Sequence, residues 1–168
     1  MAYKNTPIFS KKMMQSMGER VGSVRRMNKF DTRVYTFSYR SKGTDPYKPR
    51  PNKDKQPLFL IAYRDGKKLY SIQGKPNRYM YGFNLNMLPP ARRLATLIAM
   101  RDTYRNWEDG PVDWQTLRDS LNLPTQNHDT IFRKYRIGGG NMTGLVAVDL
   151  DKYITKLENK RYERRTGK

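Results

Sequence analysis

The sequence predicts an α+β fold: a small curled antiparallel sheet or SH3-like barrel, followed by two to three helices and flanked by basic N- and C-terminal arms. Three observations carry this expectation. Apolar residues recur with the two-residue period of strands up to Leu88 and with helical spacing after Pro90. Between the halves, Tyr79–Met100 reads YMYGFNLNMLPPARRLATLIAM, in which a strand, a Pro-Pro turn and a helix follow one another directly. Lysines and arginines mark both ends of the chain and one Pro-rich loop. The implied divisions are a basic arm over 1–29, a single α+β domain over 30–157 (β-rich over 33–88, helical over 89–157) and a basic tail over 158–168.

Composition sets the frame for these elements. With 168 residues, 36% of them apolar, and twelve Tyr and six Phe, one domain can bury a core. Against 15 Asp and Glu stand 34 Lys and Arg, and the resulting charge of +19 opposes compaction by self-repulsion unless a polyanion neutralises it. Nucleic acid is the leading partner on that ground, and the acidic surfaces of neighbouring proteins in an assembly are the alternative. The absence of cysteine excludes a disulfide framework, a thiolate nucleophile and a zinc knuckle, and it fits a reducing compartment. No apolar run reaches the length of a signal peptide or a membrane span, so a soluble protein with no membrane partner is expected.

Within the arm, Lys4, Lys11, Lys12, Arg20, Arg25, Arg26 and Lys29 face a lone acid, Glu19. Ile8, Phe9, Met13, Met14 and Met17 are too apolar for a purely solvated tail, so a short helix around Ser10–Met17 is expected to pack on the domain or on a partner. Arg33–Tyr39, RVYTFSY, alternates with Tyr35, Phe37 and Tyr39 on one face. That face meets either the core or a stack of bases, and the core is the expected destination. The stretch SKGTDPYKPRPNKDKQP, with Pro46, Pro49, Pro51 and Pro57, reads as a long basic loop. Leu58–Tyr63 and Leu69–Ile72 flank Asp65-Gly66, a strong hairpin signal. Tyr79–Leu85 is the next strand, where Gly82 suggests a bulge or close packing.

Pro89-Pro90 ends the sheet, since a missing amide does no harm at the start of a helix. Asn84 is expected to satisfy backbone groups where the strand ends. From Ala91, Leu94, Leu97, Ile98 and Tyr104 form an apolar stripe edged by Arg92, Arg93, Arg101 and Arg105. Asp113 caps a short helix over Trp114–Leu121, closed by Pro124, but the β-like TIFRKYRI that follows at Thr130–Ile137 argues against a helix-turn-helix. Leu145–Val148 is a strand returning to the sheet. Asp149 caps a final helix with Leu150, Tyr153, Ile154 and Leu157 at i, i+3, i+4 and i+7, and the basic run NKRYERRTGK frays from its end.

Catalytic chemistry finds little support. His128 stands alone in a polar turn, and Glu108, Asp109 and Asp113 flank a Gly-Pro turn where capping explains them. Gly138-Gly139-Gly140 lacks the downstream Lys-Ser/Thr of a phosphate-gripping loop. No enzyme activity, metal or cofactor is expected. The residues expected to meet phosphate are Lys11, Lys12, Arg25 and Arg26 of the arm, and Lys42, Lys48, Arg50, Lys53 and Lys55 of the loop. Arg92 and Arg93 on the helix edge and Arg161, Arg164 and Arg165 of the tail complete the set.

The succession YTFSY, a Pro-rich stretch with DPYKP, PLFLI, GFNLNMLPPARRLATL and LVAVDLDKYITKLENKRYERR resembles an uncharacterised family of small basic proteins from tailed bacteriophages. Gly82, Asn84, Leu88, Pro89, Pro90 and Arg93 stand at the spacing of that family's joint, while Met87 replaces an aromatic often found there. The resemblance implies a phage origin and a role in the particle or around its DNA. It supplies no catalytic residues. The expected function is non-enzymatic binding of DNA, largely without sequence specificity, in the host cytoplasm. The alternative is a virion structural protein of neck, tail or baseplate, built into a larger assembly with its arms between acidic neighbours. An RNA- or ribosome-associated factor is a weaker third reading.

Overall fold

Side chains alternate along a strand, and in this chain both resulting sets are apolar. On β2 (Val34–Tyr39), Val34 joins one buried cluster while Tyr35 and Phe37 join another. On β3 (Leu58–Ala62), Leu58 and Leu60 belong to the first and Phe59 and Ile61 to the second. A sheet with two buried faces follows from such near-continuous apolar runs. The structure, a computed structural model, describes residues 7–22, 26–27, 32–40, 56–62, 79–103, 119, 131–136 and 142–165.

Six strands form one antiparallel sheet in the order β1-β6-β2-β3-β4-β5, where β1 is Gly18–Arg20, β4 Tyr79–Asn84, β5 Phe132–Arg136 and β6 Met142–Val148. With β1 and β5 at the two ends of that order, the fold is the expected α+β one with an open antiparallel sheet, and among the described residues the sheet does not close into the SH3-like barrel. Register between β2 and β6 slips between Thr36 and Ser38, where β6 carries one residue more than β2. Gly144 takes a φ of 65° there, a conformation that a side chain disfavours, and the bulge bends the strand.

Helices cover the first face. The short helix α1 (Lys11–Gln15) begins at Ser10, whose side chain accepts a hydrogen bond from the Met13 amide at 3.2 Å. It sends Met14 into the core, followed by Met17 just beyond its end. Leu94, Leu97 and Met100 of α2 (Pro90–Thr103) and Leu150, Tyr153, Ile154 and Leu157 of α3 (Leu150–Arg165) bury in the same cluster. Asp149 caps α3 as expected, its Oδ1 accepting from the Lys152 amide at 3.1 Å. Met100 is a core residue that the expected stripe missed.

The second face carries Phe37, Phe59 and Tyr135, whose rings meet edge to face with centroids 5.2–5.9 Å apart. Tyr35 and Phe37 of the β2 aromatic stripe are therefore core, and the half-buried Tyr39 packs against their cluster. Gly82 lies where this packing is tightest, because a Cβ there would come 2.6 Å from the Phe59 ring and would also strike the Leu60 carbonyl. Close packing, one of its two expected roles, is the one it fills.

The short helix expected around Ser10–Met17 is α1, packed on the domain, one of the two destinations expected for it. The described part of the 1–29 segment also supplies strand β1 paired to β6 and the buried Met14, Met17, Val21 and Met27, so it contributes more to the domain than an arm would. The apolar content of the segment is the reason, since it completes both buried faces. The 158–168 tail does not fray from its first residue, because α3 continues to Arg165. The Asp65-Gly66 hairpin, strand 69–72, the Pro-rich loop apart from Gln56 and Pro57, the 114–121 helix apart from Asp119, and His128 lie outside the described residues.

Candidate nucleic-acid interface

At the joint between β4 and α2, a 3-10 turn spans Leu85–Met87. Asn84 opens it as expected, its side-chain oxygen accepting from the Asn86 amide at 3.2 Å. Asn86 in turn donates through Nδ2 to the Gln56 carbonyl at 3.0 Å. Pro90 is the first residue of α2, and the Pro89 carbonyl accepts from the Arg93 amide at 2.9 Å. These contacts account for the NLNMLPP run: the Asn84 side chain takes up a backbone amide of the turn, the Asn86 side chain supplies a donor to the Gln56 carbonyl, and prolines stand where no amide is needed.

Arg93 departs from its expected place on an arginine-lined outer edge. It is 2% exposed and donates through Nε to the Leu85 carbonyl at 3.0 Å. Its Nη2 donates to the carbonyls of Asn86 and Leu88 at 2.7 and 3.3 Å. Helix phase turns this position inward beside Leu94 and Leu97, and the guanidinium is the one group there able to satisfy several carbonyls at once. Burial lowers its pKa, and the neighbouring Tyr153 phenol opposes that shift electrostatically. The Tyr153 phenol is itself raised to about 12, chiefly by burial and against the pull of Arg93. Among the described residues, Nη1 has no hydrogen-bond partner. Arg93 is a structural cation, unavailable to phosphate. Its neighbour Arg92 is half-buried on α2.

The other expected phosphate contacts are scattered. Lys11 and Lys12 are exposed on α1, and Arg26 is exposed beside Met27, which packs on the far face of the sheet. Arg161, Arg164 and Arg165 lie on the last turns of α3. Arg25, Lys42, Lys48, Arg50, Lys53 and Lys55 lie outside the described residues.

What the fold does bring together is α1 and α3. Lys152 donates to the Ser16 carbonyl at 2.9 Å and Lys160 to the Ile8 carbonyl at 3.0 Å, so the N-terminal segment runs antiparallel along α3. Between these ties, the Phe9 ring meets Tyr153 edge-on at 5.3 Å, and the Lys160 ammonium stands 5.4 Å from the Phe9 centroid. Lys152, Lys156 and Lys160 follow at i, i+4 and i+8, which places them on one face of α3, and the segment tied to that helix carries the exposed Lys11 and Lys12 on α1. None of these five lysines has a carboxylate partner among the described residues. Asp151 turns toward Arg101 of α2 at 3.7 Å, and Glu158 is two residues from Lys156 and does not face it. The three lysines of α3 were absent from the expected set. Their spacing is legible in LDKYITKLENK, beside the apolar stripe of the same helix.

The fold and this surface define a basic α+β domain with an open antiparallel sheet and a lysine ridge on its helical layer. Compared with family models, with curated proteins and with solved structures, the chain matches none.

Proposed function

We propose that this is a bacteriophage protein without catalytic activity that binds DNA through its basic surfaces, largely without sequence specificity. The observation that carries the reading is the net charge of +19 together with the placement of lysines on α1 and α3, exposed except for the half-buried Lys160 and without carboxylate partners among the described residues. A surface of this kind attracts a polyanion through release of its counterions. Lysine ammoniums are point charges suited to phosphate rather than to base edges, which supports binding that is indifferent to sequence. The phage setting rests on the resemblance of the Gly82–Arg93 joint.

Duplex binding by the full chain across a salt series is the test. With roughly six or more phosphate contacts, affinity falls by about a thousandfold or more between 50 and 200 mM salt, equally for unrelated sequences. Weak binding that vanishes at physiological salt, combined with saturable binding to one acidic virion protein, would replace this reading with a structural role in the particle.

A further inference from the structure

The N-terminal segment is fastened to α3 by two lysine-to-carbonyl bonds, Lys152 to Ser16 and Lys160 to Ile8, and α1 lies in the stretch between them. An ammonium has three donors, so each of these lysines keeps two after its bond to the segment. Lys156 sits between the tied positions, and Lys11 and Lys12 are exposed on α1.

We propose that this ridge is a docking surface for the sugar-phosphate backbone of duplex DNA, contacted by Lys11, Lys12, Lys152, Lys156 and Lys160. The inference rests on the DNA-binding reading above and assigns it a place on the fold. Charge complementarity is the first argument, because five cations gather on the ridge with no described carboxylate to neutralise them. Spacing is the second. A rise of about 1.5 Å per residue sets the three α3 lysines about 6 Å apart over a span of about 12 Å. Duplex DNA carries one phosphate per roughly 3.4 Å along each strand, so the row lies alongside several of them. The third is rigidity: the ridge stands on Tyr153, Ile154 and Leu157, all buried, so its lysines are presented from the core rather than from a tail. DNA bridging α1 and α3 also holds the N-terminal segment against the helix, and binding therefore protects the amides of α1.

The test uses the full chain with a labelled duplex and measures the slope of log affinity against log salt. Lys12→Gln and Lys156→Gln each reduce the slope by about 0.9, and the double variant by about 1.8. Arg40→Gln, at the end of β2 away from the start of α3, removes an exposed charge off the ridge and leaves the slope nearly unchanged. In the unsubstituted chain, DNA slows hydrogen exchange at the Met14 and Ser16 amides. Salt-dependent binding by the unsubstituted chain with equal slope losses for ridge and Arg40 variants would overturn the ridge while the DNA reading stands. Absence of duplex binding altogether would overturn both. Full DNA affinity in the double variant, with loss of its incorporation into particles, would give the ridge to an acidic protein and likewise overturn the proposal.

Discussion

The Arg93 guanidinium donates a 2.7 Å hydrogen bond to the Asn86 carbonyl, so that a cation early in α2 closes the turn that leads into it. The same side chain holds the Leu85 and Leu88 carbonyls, and the strand-to-helix joint is organised around one buried charge.

Arg93→Met takes the guanidinium donor from the Asn86 and Leu88 carbonyls, while the Leu85 carbonyl keeps its bond from the Leu88 amide, and lowers unfolding stability by about 1–3 kcal/mol, the cost of leaving buried acceptors unsatisfied. Arg92→Met, on the half-buried neighbour, changes stability by less than about 1 kcal/mol. Urea unfolding of the two variants checks the contrast. Equal effects would mean that Arg93 is not the centre of the joint.

Gly82→Ala places a methyl group against the Leu60 carbonyl and the Phe59 ring, neither of which can move without disturbing β3. Overpacking of this kind costs about 1–3 kcal/mol. A lowered urea midpoint with an unchanged m-value is the expected result.

Removing residues 1–22 takes away α1, β1, Met14 and Met17, and exposes part of β6. The truncated chain should lose its cooperative thermal transition. Met17→Ala, a smaller version of the same injury, costs about 2–5 kcal/mol. Survival of the transition in the truncated chain would return the segment to the status of an arm.

Tyr153 links stability to alkaline pH. Its phenol is held at about 12 in the folded protein against 10.0 ordinarily, so between those values the folded state keeps a proton that the unfolded state has lost. The contribution is fully present below pH 10 and disappears as pH rises toward 12, a loss of about 2–3 kcal/mol. Unfolding measured from pH 9 upward should show this decline, and Tyr153→Phe should flatten it.

Much of the fold was legible in local signals. Alternation marked β2, continuous apolar runs marked β3 and β6, Asp149 and Pro90 marked the starts of α3 and α2, and Asn84 marked the turn, because caps and periods act over a few residues. The +19 charge, which needs no fold at all, already pointed toward a polyanion. Tertiary structure decided the rest. Whether basic residues 1–29 trail or pack depends on a strand partner more than a hundred residues away, since Gly18 pairs with Val148. Whether an arginine faces water or carbonyls depends on which side of α2 the sheet covers, and that turned Arg93 inward. The ridge follows the same logic: the segment that carries Lys11 and Lys12 lies alongside α3 because β1 pairs with β6 and Lys152 and Lys160 tie Ser16 and Ile8 to the last helix.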